Sequence, residues 1–153
     1  MAVITNKEEN RKPYQELIQQ ISTVFEHGRA RAMAAVHSCL VDTYWKIGQH
    51  IVEYEQQGRE KAVYGTKLLE NLSQDLKLRH GKGFSLSNVK RMRQLYSVYP
   101  ISAMPSHQLS WSHYVELLKI DDDLERSFYE QQTLLENRSV AELKKLINQQ
   151  LNM

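Results

Sequence analysis

Apolar residues recur at three- and four-residue steps along almost the whole chain, and no stretch alternates apolar and polar residues as a half-buried strand does. With only six glycines and three prolines in 153 residues, there is little room for long loops either. The expected fold is therefore all-α, with six or seven helices in a single domain over residues 1–153, residues 1–12 being a flexible tail. A hydrophobic content of 41% beside 25% charged residues is enough for a buried core and argues against disorder.

The periodicity divides the chain as follows. Pro13 suits the first turn of a helix starting near Tyr14, with Leu17, Ile18, Ile21, Val24 and Phe25 as its stripe and Gly28 as a bend or break. A second pattern places Leu40, Val41, Tyr44, Trp45, Gly48, Ile51 and Val52 on one face and stops at Gly58. A third helix is expected after Thr66 as N-cap, burying Leu68, Leu69, Leu72 and Leu76. "GKGF" then leads into a fourth, from about Ser85 to Tyr99, closed by Pro100. Three short helices follow, opening at Ser110, at Asp122 with Glu125, and at Ser139 with Glu142, the last two in capping-box spacing.

The fourth helix carries the chemistry. Leu86, Val89, Met92, Leu95, Tyr96 and Tyr99 take one side; Ser87, Lys90, Arg91, Gln94 and Ser97 take the other, with Asn88 and Arg93 at the boundaries. From Lys77 to Arg93 there are six Lys or Arg and no acid, whereas residues 121–142 hold seven acids and two arginines. A formal charge of only +2 thus conceals a strong polarity. Basic, amide and hydroxyl side chains are those that contact phosphates and base edges, and the short Gly-containing connection makes 66–99 a helix-turn-helix-like pair. The candidate DNA contacts are Lys90, Arg91 and Gln94 on the helix, Ser87 and Asn88 near its N-terminal end, and Arg79, His80 and Lys82 on phosphates. The competing reading is a helix pair with a solvated face, Leu17, Ile21 and Phe25 then carrying a protein-interaction or oligomerisation surface such as a homodimer.

Other chemistry finds little support. The six histidines never lie three or four residues apart, so local spacing offers no metal site, and no cofactor is expected. Cys39, the one cysteine, reads as a small buried residue, and Trp111 and Tyr114 read as core rather than as stacking platforms. "GKGF" lacks the spacing of a phosphate-binding P-loop, and "DDD" at 121–123 reads as a helix start. No catalytic residue is assigned. No stretch is apolar enough to cross a bilayer and no signal-like core opens the chain, so the expected location is cytoplasmic.

The blocks "YGTKLLENLSQDL", "GKGFSLSNVKRMRQLY", "QLSWSHYVELLKI" and "RSFYEQQTLLENRSVAELKKLI" resemble, in order and spacing, the N-terminal domain of the bacterial YhcG family, over about Tyr14 to Leu151. That resemblance implies a helical domain joined to a C-terminal PD-(D/E)xK nuclease domain, in restriction, mobile-element or phage-defence settings. It implies either DNA engagement or docking onto the nuclease part, and it brings no catalytic residues to this chain. "ELK" at Glu142–Lys144 matches the nuclease motif only in letters, because it lies on a helix and the metal-binding motif needs a strand.

Overall fold

The structure, a computed structural model, describes residues 2–58, 67–100, 104–106 and 108–151, with side chains described between positions 11 and 149. Every regular element among them is helical: α1 (Ala2–Gln56), α2 (Leu68–His80), α3 (Leu86–Val98), α4 (Trp111–Leu117), α5 (Asp123–Glu136) and α6 (Val140–Leu151). The all-α expectation holds. The chain separates into two compact units, residues 1–36 and residues 37–153.

The expected division near Gly28 is absent, since α1 is one helix from Ala2 to Gln56, with Pro13 inside it rather than in its first turn. A glycine costs a helix only about 1 kcal/mol, and a proline removes one hydrogen bond, so neither must end a long run of helix formers. Gly58 does provide the stop: it has φ +72°, and its N–H donates to the Glu55 carbonyl at 2.9 Å. Cys39 is exposed, not buried. Val41 is only two residues on, and two residues rotate a helix by about 200°; with Val41 and Trp45 facing inward, Cys39 must face out.

In the second unit the core gathers Val41 and Trp45 of α1, Met92 and Leu95 of α3, Tyr99, Trp111, Tyr114 and Leu117, and Tyr129, Leu143 and Ile147 of α5 and α6. Trp111 and Tyr114 are core residues, as expected. The approach of α1 to α3 is close enough that a Cβ on Gly48 would lie 2.1 Å from the Met92 carbonyl oxygen. Beside that contact, Trp45 Nε1 donates to the Tyr99 carbonyl at 2.6 Å and the Trp45 ring meets Tyr96 edge-on at 5.1 Å. These contacts make α3 the centre of the unit, with Val89, Met92 and Leu95 fully buried.

The short helices are fixed by their caps. Ser110 Oγ accepts from the His113 N–H at 3.3 Å, and the His113 ring Nδ1 accepts in return from the Ser110 N–H at 3.1 Å. With Nδ1 accepting, the ring proton belongs on Nε2, which donates to the Arg138 carbonyl at 2.9 Å. One imidazole thus ties the start of α4 to the connection before α6. Asp122 caps α5 through the Glu125 N–H at 3.0 Å, and Ser139 accepts from the Glu142 N–H at 3.2 Å, both as the spacing predicts. The expected cap Thr66 lies outside the described residues. α2 begins after Lys67, which makes no side-chain cap bond, and buries Leu68 and Ser73 while Leu69, Leu72 and Leu76 are half-buried.

Candidate nucleic-acid interface

The connection between α2 and α3 follows from its residues. α2 ends at His80 because Gly81 takes φ +80°, a left-handed conformation open to glycine, while its N–H still closes on the Lys77 carbonyl at 2.8 Å. Gly83 takes φ +109°, where a side chain would be strained. Ser85 then caps α3 by accepting from the Asn88 N–H at 3.2 Å. Two further bonds brace the turn. Ser73 Oγ donates to the Phe84 carbonyl at 2.7 Å, and Asn88 Nδ2 donates to the Gly83 carbonyl at 3.1 Å.

On this braced turn Arg79, His80, Lys82, Ser87 and Lys90 are all exposed. None of Arg79, Lys82 and Lys90 enters an ion pair among the described residues. His80 lies against Phe84, ring centroids 5.9 Å apart. Lys77, which the sequence reading counted in the basic run but did not assign, is exposed in the last turn of α2, three residues from His80 and so on its face. A wheel drawn on the preceding helix, Leu68–His80, places it on the face of His80.

The other assigned residues are turned to internal work. Gln94 Nε2 donates to the Leu118 carbonyl at 2.8 Å; Arg91 donates to the Gln94 side-chain oxygen at 2.7 Å and reaches the same carbonyl at 3.4 Å. Leu118 is the C-cap of α4, so these two side chains satisfy a helix-end carbonyl in the manner of a cation near a C-terminus. Arg93 pairs with Glu55 of α1. Asn88 remains half-buried under its bond to Gly83. The outward face of α3 is accordingly narrower than its wheel implies, with Ser87, Lys90 and Ser97 as its exposed positions.

A second polar group lies away from this face. The Tyr99 and Tyr114 hydroxyls share the Glu130 carboxyl, and burial pushes that carboxyl above the usual carboxylate range against the lowering effect of the two hydroxyls and Arg126. Burial, reinforced by Glu130, also pushes both phenols well up. Arg126 is buried and grips Asp123 Oδ1 with both terminal nitrogens at 2.7 and 2.8 Å. Nothing in the sequence distinguishes Glu130 from its exposed acidic neighbours; its half-burial is a tertiary fact.

Fold and site together define an all-α domain organised around a glycine-turned, basic helix pair. The model of the DUF1016 N-terminal domain matches residues 20–152, and the chain belongs to that family. It is also 31% identical, over an alignment 167 positions long, to the Escherichia coli (strain K12) protein named "Putative nuclease YhcG". The alignment takes in 88% of this chain and 44% of that protein, so the chain spans less than half the length of the curated relative it matches. No solved structure matches. The resemblance to the YhcG N-terminal domain drawn from the sequence blocks is thereby borne out. No helix among the described residues is long and apolar enough to cross a membrane.

Proposed function

We propose that this domain engages duplex DNA through the α2–α3 turn and serves as the DNA-holding part of a nuclease whose PD-(D/E)xK domain follows it, in cytoplasmic restriction or phage defence. The observation that carries the reading is the set of exposed cations on one braced turn, Arg79, Lys82 and Lys90, that enter no ion pair among the described residues, with Lys77 and His80 beside them. Long basic side chains left without carboxylate partners are those that exchange counterions for phosphates. The turn contacts the backbone, Ser87 and Lys90 approach the groove, and Arg91, Gln94 and Asn88 hold the element in shape. The contact is therefore mainly to phosphate, with weak sequence preference.

Titration of the purified chain against labelled random duplex at several salt concentrations tests this. Each lost phosphate contact lowers the slope of log K against log salt by about 0.9. Alanine at Arg79, Lys82 and Lys90 together should weaken binding at low salt and flatten that slope by between two and three such steps. Equal affinity and slope in the triple variant and the wild type would remove the reading. An assembly role is favoured by a different observation, the exposed apolar side chains of α1.

A further inference from the structure

In the first unit, α1 carries an apolar face whose large side chains are exposed among the described residues. At about 100° per residue, a roughly 120° arc of the helix holds Tyr14, Leu17, Ile18, Ile21, Val24, Phe25, Gly28, Ala32, Ala35 and Val36 and no charged or amide side chain between positions 14 and 36. Its large members are open to solvent: Ile21 at 59%, Val24 at 72% and Phe25 at 64% of full exposure. Large side chains (Tyr14 to Phe25) fill the first half of the arc and small ones (Gly28, Ala32, Ala35) the second up to Val36 at its end.

We propose that residues 14–36 of α1 pair antiparallel with the same residues of a second copy of this chain. That gradient of size is what selects a second copy. In an antiparallel pair with its two-fold axis beside Phe25, Tyr14 faces Ala35, Leu17 faces Ala32, Ile21 faces Gly28, and Val24 faces Phe25. Tyr14, Leu17 and Ile21 each meet a small residue and Val24 meets Phe25 at the axis, so the surface is largely complementary to itself, as a two-fold interface requires. A parallel pair would instead set large against large and leave a gap along Gly28 to Ala35. The arc is ~33 Å long, and covering it on both helices removes on the order of 1,000 Å², the lower bound for a specific interface. The inference deepens the assembly reading and does not depend on DNA binding, which its test leaves out.

Light scattering over a dilution series of the full 153-residue chain should give twice the monomer mass, and Ile21→Glu with Phe25→Glu should give one chain. Both positions are exposed, so the fluorescence of Trp45 and Trp111, buried in the second unit, should not change in the variant. A monomer at the highest attainable concentration, which would leave the face to some other protein, overturns the proposal; so does a dimer that survives the double substitution. Orientation is read by oxidative cross-linking in a Cys39→Ser background. Leu17→Cys mixed with Ala32→Cys should form a crossed disulfide. Leu17→Cys alone should not, because its two copies lie ~22 Å apart, beyond the ~7 Å a disulfide spans. Efficient self-linking by Leu17→Cys overturns the antiparallel pair.

Discussion

Gly48→Ala puts the packing of α1 on α3 to a test in which two effects have opposite signs. In an isolated helix the change is stabilising by roughly 0.5–1 kcal/mol, because alanine loses less backbone freedom than glycine. Here the new Cβ would sit 2.1 Å from the Met92 carbonyl oxygen, 2.9 Å from its carbon and 3.1 Å from Tyr96 Cβ. Two of those three atoms are backbone of α3, so no side-chain rotation relieves the contact and the helices must separate by about 1 Å. A gap of that size forfeits between a quarter and a half of each dispersion contact nearby. The contacts at risk are those of Val41, Trp45 and Met92, together with the 2.6 Å bond from Trp45 to Tyr99. Overpacking of this kind costs about 1–3 kcal/mol, which outweighs the gain in helix propensity. With a urea slope of about 1–3 kcal/mol per molar, the unfolding midpoint should fall by roughly 1 M. Tryptophan fluorescence is the assay of choice, because Trp45 and Trp111, the two tryptophans, both report on this core. A midpoint equal to or above wild type would refute the close approach.

Three further outcomes follow from the polar contacts. Because burial raises the folded-state pKa of Glu130 above its ordinary 4.5, the folded chain holds more protons than the unfolded one. Its contribution is fully present below that value and is lost as pH rises through the folded pKa, so stability should fall with pH above about 4.5. Glu130→Gln should flatten that dependence in unfolding curves compared with wild type, and an unaltered pH profile would show that the carboxyl is not desolvated. Gln94→Ala should lower stability by about 1 kcal/mol, by loss of a hydrogen bond to the Leu118 carbonyl, yet leave the affinity for DNA unchanged. A weakened affinity would return Gln94 to the nucleic-acid surface. His113→Ala, which strands the Ser110 N–H and the Arg138 carbonyl, should cost about 1–3 kcal/mol, and a melting temperature within error of wild type would show that solvent replaces both bonds.

Most of the helix framework was legible because local chemistry sets it. Ser85, Ser110, Asp122 and Ser139 act as caps where the sequence places them, and Gly58 and Pro100 mark ends, since capping and chain reversal involve neighbours only a few residues away. The continuity of α1 through Pro13 and Gly28 was not legible: both residues weaken a helix without forbidding it, and the net preference is a sum over a long run. The site divides in the same way. Exposure of Arg79, Lys82 and Lys90 follows from the charge pattern, but the inward engagement of Arg91 and Gln94 depends on where the end of α4 lies, 24 residues or more along the chain. A wheel sorts side chains into apolar and polar; it does not say which polar ones face another helix.

That distinction governs how a nucleic-acid surface can be built on this fold. An isolated helix-turn-helix leaves its second helix open on the side opposite the core, whereas α3 is gripped on several sides: by α1 through the Gly48 contact and the Glu55–Arg93 pair, by the end of α4 through Arg91 and Gln94, and by the turn through Asn88. All but the Gly48 contact use a polar side chain of α3 that is thereby turned to internal bonds. What remains outward is the turn itself, where Gly81 and Gly83 take conformations that hold Lys82 at the apex and the caps at Gly81 and Ser85 fix both helix ends. A rigid, cationic corner of this kind favours the phosphate backbone over base edges. Affinity should then scale with the number of such corners presented together, and a pair of chains joined through α1 would present two.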